Sequence, residues 1–468
     1  MDALEAERPA PGPHGAHPRP MIGLREAMAV IVGVVIGAGI FKSPSIVASL
    51  SGSPGTMLVL WVLGGLVSLV GALCYAELAT AYPHAGGDYH FLRRAFGRSL
   101  AFLFGWARFA VITTGSIALL GFVFGDYMQQ AVPLSFLPAG WGATAYACAV
   151  IVVLSALNLR GIRSGAGAQS LLTLAEIGGL LLIAAAAAFL ADPAPPVQSA
   201  SATAQAPSIG LAMVFVLLTY GGWNEAAYIS AEIRGGPGRM VKALVLSIIV
   251  ITSLYLLVSW AYWAVLGMEG MAASDAVAAD VMLRAFGPAG EKLISLLVAV
   301  SALTSINATM IVGARTGYAM GCDWRTLGRL GCWDGDRGTP HVAMALQCAA
   351  ALVLVGVGAA LGSGFKAMVE FTAPVFWLFF LLTGLSLFVL RRREPRTARP
   401  YRVPLYPLVP LLFCATCAYM LWSSLSYVSS QTLGGLNAAW IGVAVLAFGL
   451  VLLLVLHRRS ENHTPPLS

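Results

Sequence analysis

The sequence predicts an all-α integral membrane protein of twelve spans, with two halves of five helices repeated in opposite orientation and two further helices after them. Three observations lead there: the balance of apolar and charged residues, the spacing of the apolar runs, and two glycine clusters at matching places. Of 468 residues, 58% are hydrophobic and only 10% charged, whereas a soluble domain carries about 25% charged residues. No soluble core absorbs such an excess, so the solvent must be lipid. The net charge of +7 does not point to nucleic acid. The basic residues stand in short clusters between apolar runs, as in the loops on one side of a membrane.

A spanning helix needs about twenty predominantly apolar residues. Stretches that meet this are 24–50, 56–82, 100–130, 141–159, 168–191, 209–232, 241–267, 289–320, 342–361, 368–390, 404–427 and 433–457. Arg93, Arg94 and Arg98 follow the second; Arg160 and Arg163 the fourth; Arg234, Arg239 and Lys242 the sixth. Arg325, Arg329 and Arg337 follow the eighth, a run from Arg391 to Arg402 the tenth, and Arg458 and Arg459 the last. The other connections hold few basic residues: Lys42, Arg284, Lys292 and Lys366. The positive-inside rule then puts both termini in the cytoplasm of a multi-pass cell-membrane protein. The expected organisation is a disordered cytoplasmic tail over 1–22 and a ten-helix core over 23–391, with repeats at about 23–192 and 208–391. Two peripheral helices over 392–457 and a cytoplasmic tail over 458–468 follow. The opening tail lacks the apolar centre of a signal peptide. None of the seven cysteines falls in a segment assigned to the outside. Cys414 and Cys417 have redox-motif spacing but lie in an apolar run, where packing is the favoured role.

The first span contains Gly33-Val-Val-Ile-Gly37-Ala38-Gly39, and the sixth Thr219-Tyr220-Gly221-Gly222-Trp223-Asn224. Mid-span glycines weaken a helix and free the backbone to unwind. The clusters lie five spans apart, and an odd number of helices per half makes the halves inverted. Interrupted segments at corresponding positions point to a transport site near mid-membrane. At such a break one half-helix offers free N–H groups, which suit a carboxylate, and the other free carbonyls, which suit an ammonium or Na⁺. An α-amino acid carries both groups. The competing reading, a small-residue packing seam, would be satisfied by Gly33 and Gly37 alone.

These residues resemble the amino acid–polyamine–organocation superfamily, and within it the L-type amino acid transporters and their bacterial relatives. The resemblance rests on Gly33 to Phe41 with Ser43-Pro44, on Tyr75-Ala-Glu77-Leu, and on Pro83-His-Ala-Gly86-Gly87-Asp-Tyr89. Tyr220 to Asn224, Gly313-Ala-Arg315 and Arg399 to Pro407 extend it. It implies a LeuT-like 5+5 inverted repeat, with helices 1 and 6 unwound at mid-membrane, working by alternating access. It also implies that the N–H groups of Ala38 and Gly39 hold a substrate carboxylate, and that the carbonyls of Val35, Leu218 and Gly221 hold its ammonium. Gly37, Thr219, Tyr220 and Gly222 complete that candidate site. Many relatives carry a Lys in Thr-x-x-Lys of the fifth span, where Thr173-Leu-Ala-Glu176 stands here, which makes H⁺ or Na⁺ coupling an expectation. Mammalian light subunits link a heavy chain through a Cys between spans three and four. The segment 130–140 has none, so no disulfide-linked heavy chain is expected.

A carboxylate at mid-membrane costs about 2.5–3.5 kcal/mol on insertion scales and therefore has a partner, a proton or a function. Glu176 is the coupling candidate, against a neutral acid bonded to a neighbouring helix. Glu225, beside the sixth-span glycines, is a candidate substrate contact. Glu77 and Arg108 are expected to pair or to reach the interface, and Glu232 and Arg315 to serve as gate or surface groups. Asn307 suits an interhelical hydrogen bond. His84-Ala-Gly-Gly-Asp88 reads as a surface turn after Pro83, and with no HExxH, GxSxG or Walker sequence nothing supports an enzyme. The leading expectation is amino acid transport, with no metal or cofactor and membrane lipid as surroundings. An organic amine or polyamine carrier is the close alternative and an ion channel the more distant one.

Overall fold

The computed structural model describes residues 23–83, 87–138, 140–160, 166–189, 208–224, 237–324, 327–334, 339–362, 364–430 and 438–461. Among them regular structure is helical apart from one isolated bridge between Asp334 and Thr339. Eight described helices are long and apolar enough to cross a membrane, and shorter apolar helices cover Thr173–Phe189, Ile209–Thr219 and Trp440–Val455. Val59, Leu66, Val153, Leu412 and Leu454 are each more than half exposed. Such side chains are at home against lipid. The chain is a multi-pass membrane protein.

The first span is divided into helix α1 (Leu24–Val35), a 3₁₀ turn (Ala38–Phe41) and helix α2 (Ser43–Ser51). Helix α3 (Pro54–Ala81) starts where Ser53 accepts the Thr56 N–H and Pro54 supplies a preset φ. The short α4 (Gly87–Phe96) carries Arg93 and Arg94 in its last turn. The third span joins α5 (Arg98–Ala107) to α6 (Thr114–Ala131) through a π-helical turn at Arg108–Thr113. Helices α7 (Trp141–Leu159), α8 (Ala166–Phe189) and α9 (Ile209–Thr219) follow.

Helix α10 (Pro237–Ala273) bends at Gly267 and α11 (Val277–Asp323) at Gly287, before Pro288. The run closes with α12 (His341–Ala360), α13 (Gly364–Arg393), α14 (Leu408–Ser430) and α15 (Ala438–Glu461). Helix α6 packs on α7 and α11, and α10 on α1 and α3, so the divided first span lies inside the bundle. Its residues Ile36, Ala38, Ile40 and Phe41 are fully buried.

Candidate functional site

The predicted binding residues of the first span converge with those of the sixth. Helix α1 stops at Val35, and the Gly37 N–H turns back onto the Val35 carbonyl at 2.8 Å. The 3₁₀ turn then begins at Ala38, which leaves the N–H groups of Ala38 and Gly39 without an intrahelical acceptor. Helix α9 stops at Thr219, and the Gly221 N–H bonds to the Leu218 carbonyl at 3.0 Å. Gly222 has φ +112°, and a Cβ there would stand 3.1 Å from the Val34 carbonyl oxygen. A side chain at this point meets both backbone strain and the last turn of α1. A Cβ on Gly39 would likewise touch Thr219. The break in the first span and the end of α9 therefore lie against each other.

Tyr255 of α10 joins them. Its buried hydroxyl lies 2.9 Å from the Val35 carbonyl oxygen and 3.0 Å from that of Thr219, sharing one proton between them. Sequence reading missed this residue: a lone tyrosine in an apolar run carries no motif, and its partners are 220 and 36 residues away. The Tyr220 ring is buried against Trp61 and Tyr255, and its hydroxyl donates to the Trp61 carbonyl at 2.9 Å.

Glu176 lies on α8, almost fully buried. Its Oε1 accepts from the Ser301 hydroxyl of α11, and its Oε2 has no hydrogen-bond partner among the described residues. One turn earlier, Thr173 fills the space a side chain at Gly33 would need, with Oγ1 2.2 Å from the Cβ position. The Thr173–Glu176 pair thus sits on the face of α8 that meets α1 and α11. Asn307 accepts from the Asn158 amide at 2.7 Å across α7 and α11, the interhelical bond expected of it.

The expected pairing of Glu77 is corrected. This carboxylate takes a bidentate contact from Arg391, with Nε at 2.7 Å, a longer contact from Arg399 at 3.7 Å, and the Val403 N–H at 2.7 Å. Among the described residues its ion-pair partners are thus Arg391 and Arg399, while Arg108 is half-buried in the π turn of the third span and has interactions of its own. The reason is geometric: α13 and the segment after it bring two planar guanidinium groups to one carboxylate, and bidentate pairing is the strongest arrangement. Arg315 is exposed on α11. Glu225 and Glu232 lie outside the described residues, as does the turn at 84–86.

At the opposite end of the bundle stands a cavity of about 770 Å³, bordered by Lys42, Ser45, Asp126, Gln129, Ser274 and Asp275 among others. Lys42 closes the 3₁₀ turn, and its ammonium lies 2.8 Å from Asp126 of α6 and 3.3 Å from Asp275. Sequence reading noted Lys42 only as a basic residue on the wrong side for the charge rule; its acidic partners explain why it is tolerated there.

The amino acid permease family profile matches residues 22–454. The chain is 30% identical over 407 residues to the human b(0,+)-type amino acid transporter 1, covering 85% of this chain and 81% of that protein. It is 29% identical over 422 residues to the mouse large neutral amino acids transporter small subunit 2, covering 86% and 76%. With the mouse Asc-type amino acid transporter 1 it shares 29% over 469 residues, covering 95% and 84%. A solved structure of an Eremococcus coleocola manganese transporter mutant superposes with a TM-score of 0.54 at 16% identity, covering 97% of this chain and 98% of that one, which shows a shared fold. The chain belongs to the amino acid permease family.

Proposed function

We propose that this member of the amino acid permease family carries α-amino acids across the cell membrane by alternating access, with both termini in the cytoplasm. The observation that carries the reading is the contact between the broken first span and the end of α9, bridged by Tyr255 at the Val35 and Thr219 carbonyls. The free N–H groups of Ala38 and Gly39 receive the substrate carboxylate at the start of the 3₁₀ turn. The carbonyls of Val35, Leu218 and Gly221 receive its ammonium. The Val35 carbonyl already accepts from the Gly37 N–H and the Tyr255 hydroxyl, so a bound ammonium would take the place of one of them there. No bond of the substrate is made or broken, so the protein is a carrier and not an enzyme.

Glu176 is read as the coupling group. Its Oε2, without a partner among the described residues, is an acceptor that a proton or a cation would complete, which supports coupled movement over simple diffusion. The relatives named above are called amino acid transporters, which favours amino acids over amines as substrates. One of them is by name a small subunit. The connection 130–140 of this chain has no cysteine, so any partner chain at that connection is held without a disulfide.

The test is saturable uptake of a radiolabelled amino-acid panel into proteoliposomes, with and without an inward proton gradient, for the parent and Glu176→Gln. Gradient-stimulated uptake lost in the variant supports symport through Glu176. Uptake that requires amino acid loaded inside makes the protein an exchanger, and gradient dependence kept by the variant removes Glu176 from coupling. Absence of amino acid uptake overturns the substrate reading.

A further inference from the structure

The 770 Å³ cavity ends on the same residues that hold the second half of the first span in place. Lys42 uses all three of its N–H donors there: toward Asp126 Oδ2 at 2.8 Å, the Asp275 carbonyl at 2.7 Å and Asp275 Oδ1 at 3.3 Å. One turn along, the Ser45 hydroxyl donates to the Ser274 carbonyl at 2.8 Å. On α6 the residue after Asp126 repeats the pattern: the Tyr127 hydroxyl donates to the Phe41 carbonyl at 2.7 Å and accepts from the Ala278 N–H at 3.4 Å. Three parts of the fold distant in sequence thus meet at Phe41–Ser45: the divided first span, the end of α6, and the connection from α10 to α11.

We propose that Lys42, with Asp126 and Asp275, is an ionic latch that closes the cavity from the helix break and must release for substrate to pass. The inference rests on the reading above that the break is the substrate site. Lys42 stands three residues beyond Gly39, and its stem is buried while its ammonium borders the cavity. A substrate moving from the cavity to Ala38 and Gly39 therefore meets this group first. The latch is built to exchange partners. Asp275 is 88% exposed, so solvent or a substrate carboxylate in the cavity competes for Lys42 at low cost, whereas Asp126 is mostly enclosed. A carboxylate that draws Lys42 off its two acids loosens the hold on the 3₁₀ turn directly beside the proposed binding N–H groups.

The test uses intact cells expressing the full chain with its seven cysteines replaced and one reporter cysteine at Ser305, whose side chain stands beside Gly37. A membrane-impermeant thiol reagent added outside reads passage from cavity to break. Lys42→Met and Asp126→Asn are expected to label about tenfold faster than the parent, the change that release of one ion pair makes in a two-state equilibrium. The charge-exchanged double variant Lys42→Asp with Asp126→Lys is expected to return toward the parent rate. Unchanged labelling in both single variants overturns the latch. Fast labelling in the exchanged pair as well assigns the effect to damaged folding and also overturns it. Equilibrium binding of radiolabelled amino acids to the parent protein separates the two readings. Absent binding removes the amino acid substrate, while the labelling result still decides whether Lys42 closes the path.

Discussion

The two ends of the bundle hold their charges in opposite ways. At the arginine-rich end, Glu77 is 99% buried and accepts from Arg391, Arg399 and the Val403 N–H, so both its oxygens are occupied by groups of α13 and the segment after it. Arg391 also lies 3.8 Å from the centre of the Tyr406 ring. Beside it, Arg94 of α4 holds Glu394 with Nε at 2.7 Å. At the cavity end one lysine is shared between two acids, one of them almost wholly in solvent. The first arrangement is costly to open because every partner would be left buried and unpaired. The second can trade an internal partner for water or a ligand. A carrier needs both, a fixed staple and contacts that let go.

The largest expected effect belongs to the staple. Glu77→Gln leaves Arg391 and Arg399 without their counter-charge, and breaking a buried pair costs about 3–5 kcal/mol. A large drop in melting temperature in detergent is expected, and an unchanged melt would break the comparison. Next comes the junction between the ends. Tyr255→Phe removes one shared hydroxyl, worth about 1 kcal/mol, and should weaken amino acid binding by about fivefold with little change in melting. A binding isotherm that does not move takes Tyr255 out of the positioning role. Asp275→Ala removes a pair that is mostly exposed, worth about 0–1 kcal/mol, and Lys42 keeps the Asp275 backbone carbonyl. Its melt should stay near the parent's, and a loss as large as that of Glu77→Gln would make the two ends alike.

The smallest effect is a matter of pH at Glu394. Burial raises its carboxyl, but the Arg94 guanidinium and neighbouring hydroxyls outweigh burial and hold the group below the ordinary carboxylate range. A lowered value in the folded state means stability that is present above the unfolded value and lost as pH falls through the folded one. The pair is surface-screened, so Glu394→Gln should cost at most about 1 kcal/mol at neutral pH. The difference should close below about pH 4. A gap that persists under acid would assign the effect to packing.

Much of the architecture was legible because its causes are local. Runs of about twenty apolar residues report the bilayer thickness directly, and Gly37 and Gly222 mark where a helix has the least reason to continue. The binding-site reading followed from two such places in corresponding spans. Tyr255, Asp126 and Asp275 were not legible. A tyrosine or an aspartate inside a span looks the same whether it faces a carbonyl, a lysine or lipid, and facing depends on how ten-odd helices rotate against each other. Glu77 shows the limit well. It was expected to pair with Arg108 or to reach the interface, whereas Arg391, 314 residues away, holds it in the interior.

By itself the sequence determined the solvent, the helical class, the break in the first span and the family, all properties of single segments or of their order. The tertiary structure alone decided which polar group meets which: Tyr255 between the first-span break and the end of α9, Lys42 between Asp126 and Asp275, and Ser301 on one oxygen of Glu176. The physical reason is that in a lipid-surrounded bundle apolar residues fit nearly anywhere, whereas each buried polar atom requires one partner at one distance. That partner is chosen by packing between helices far apart in the chain.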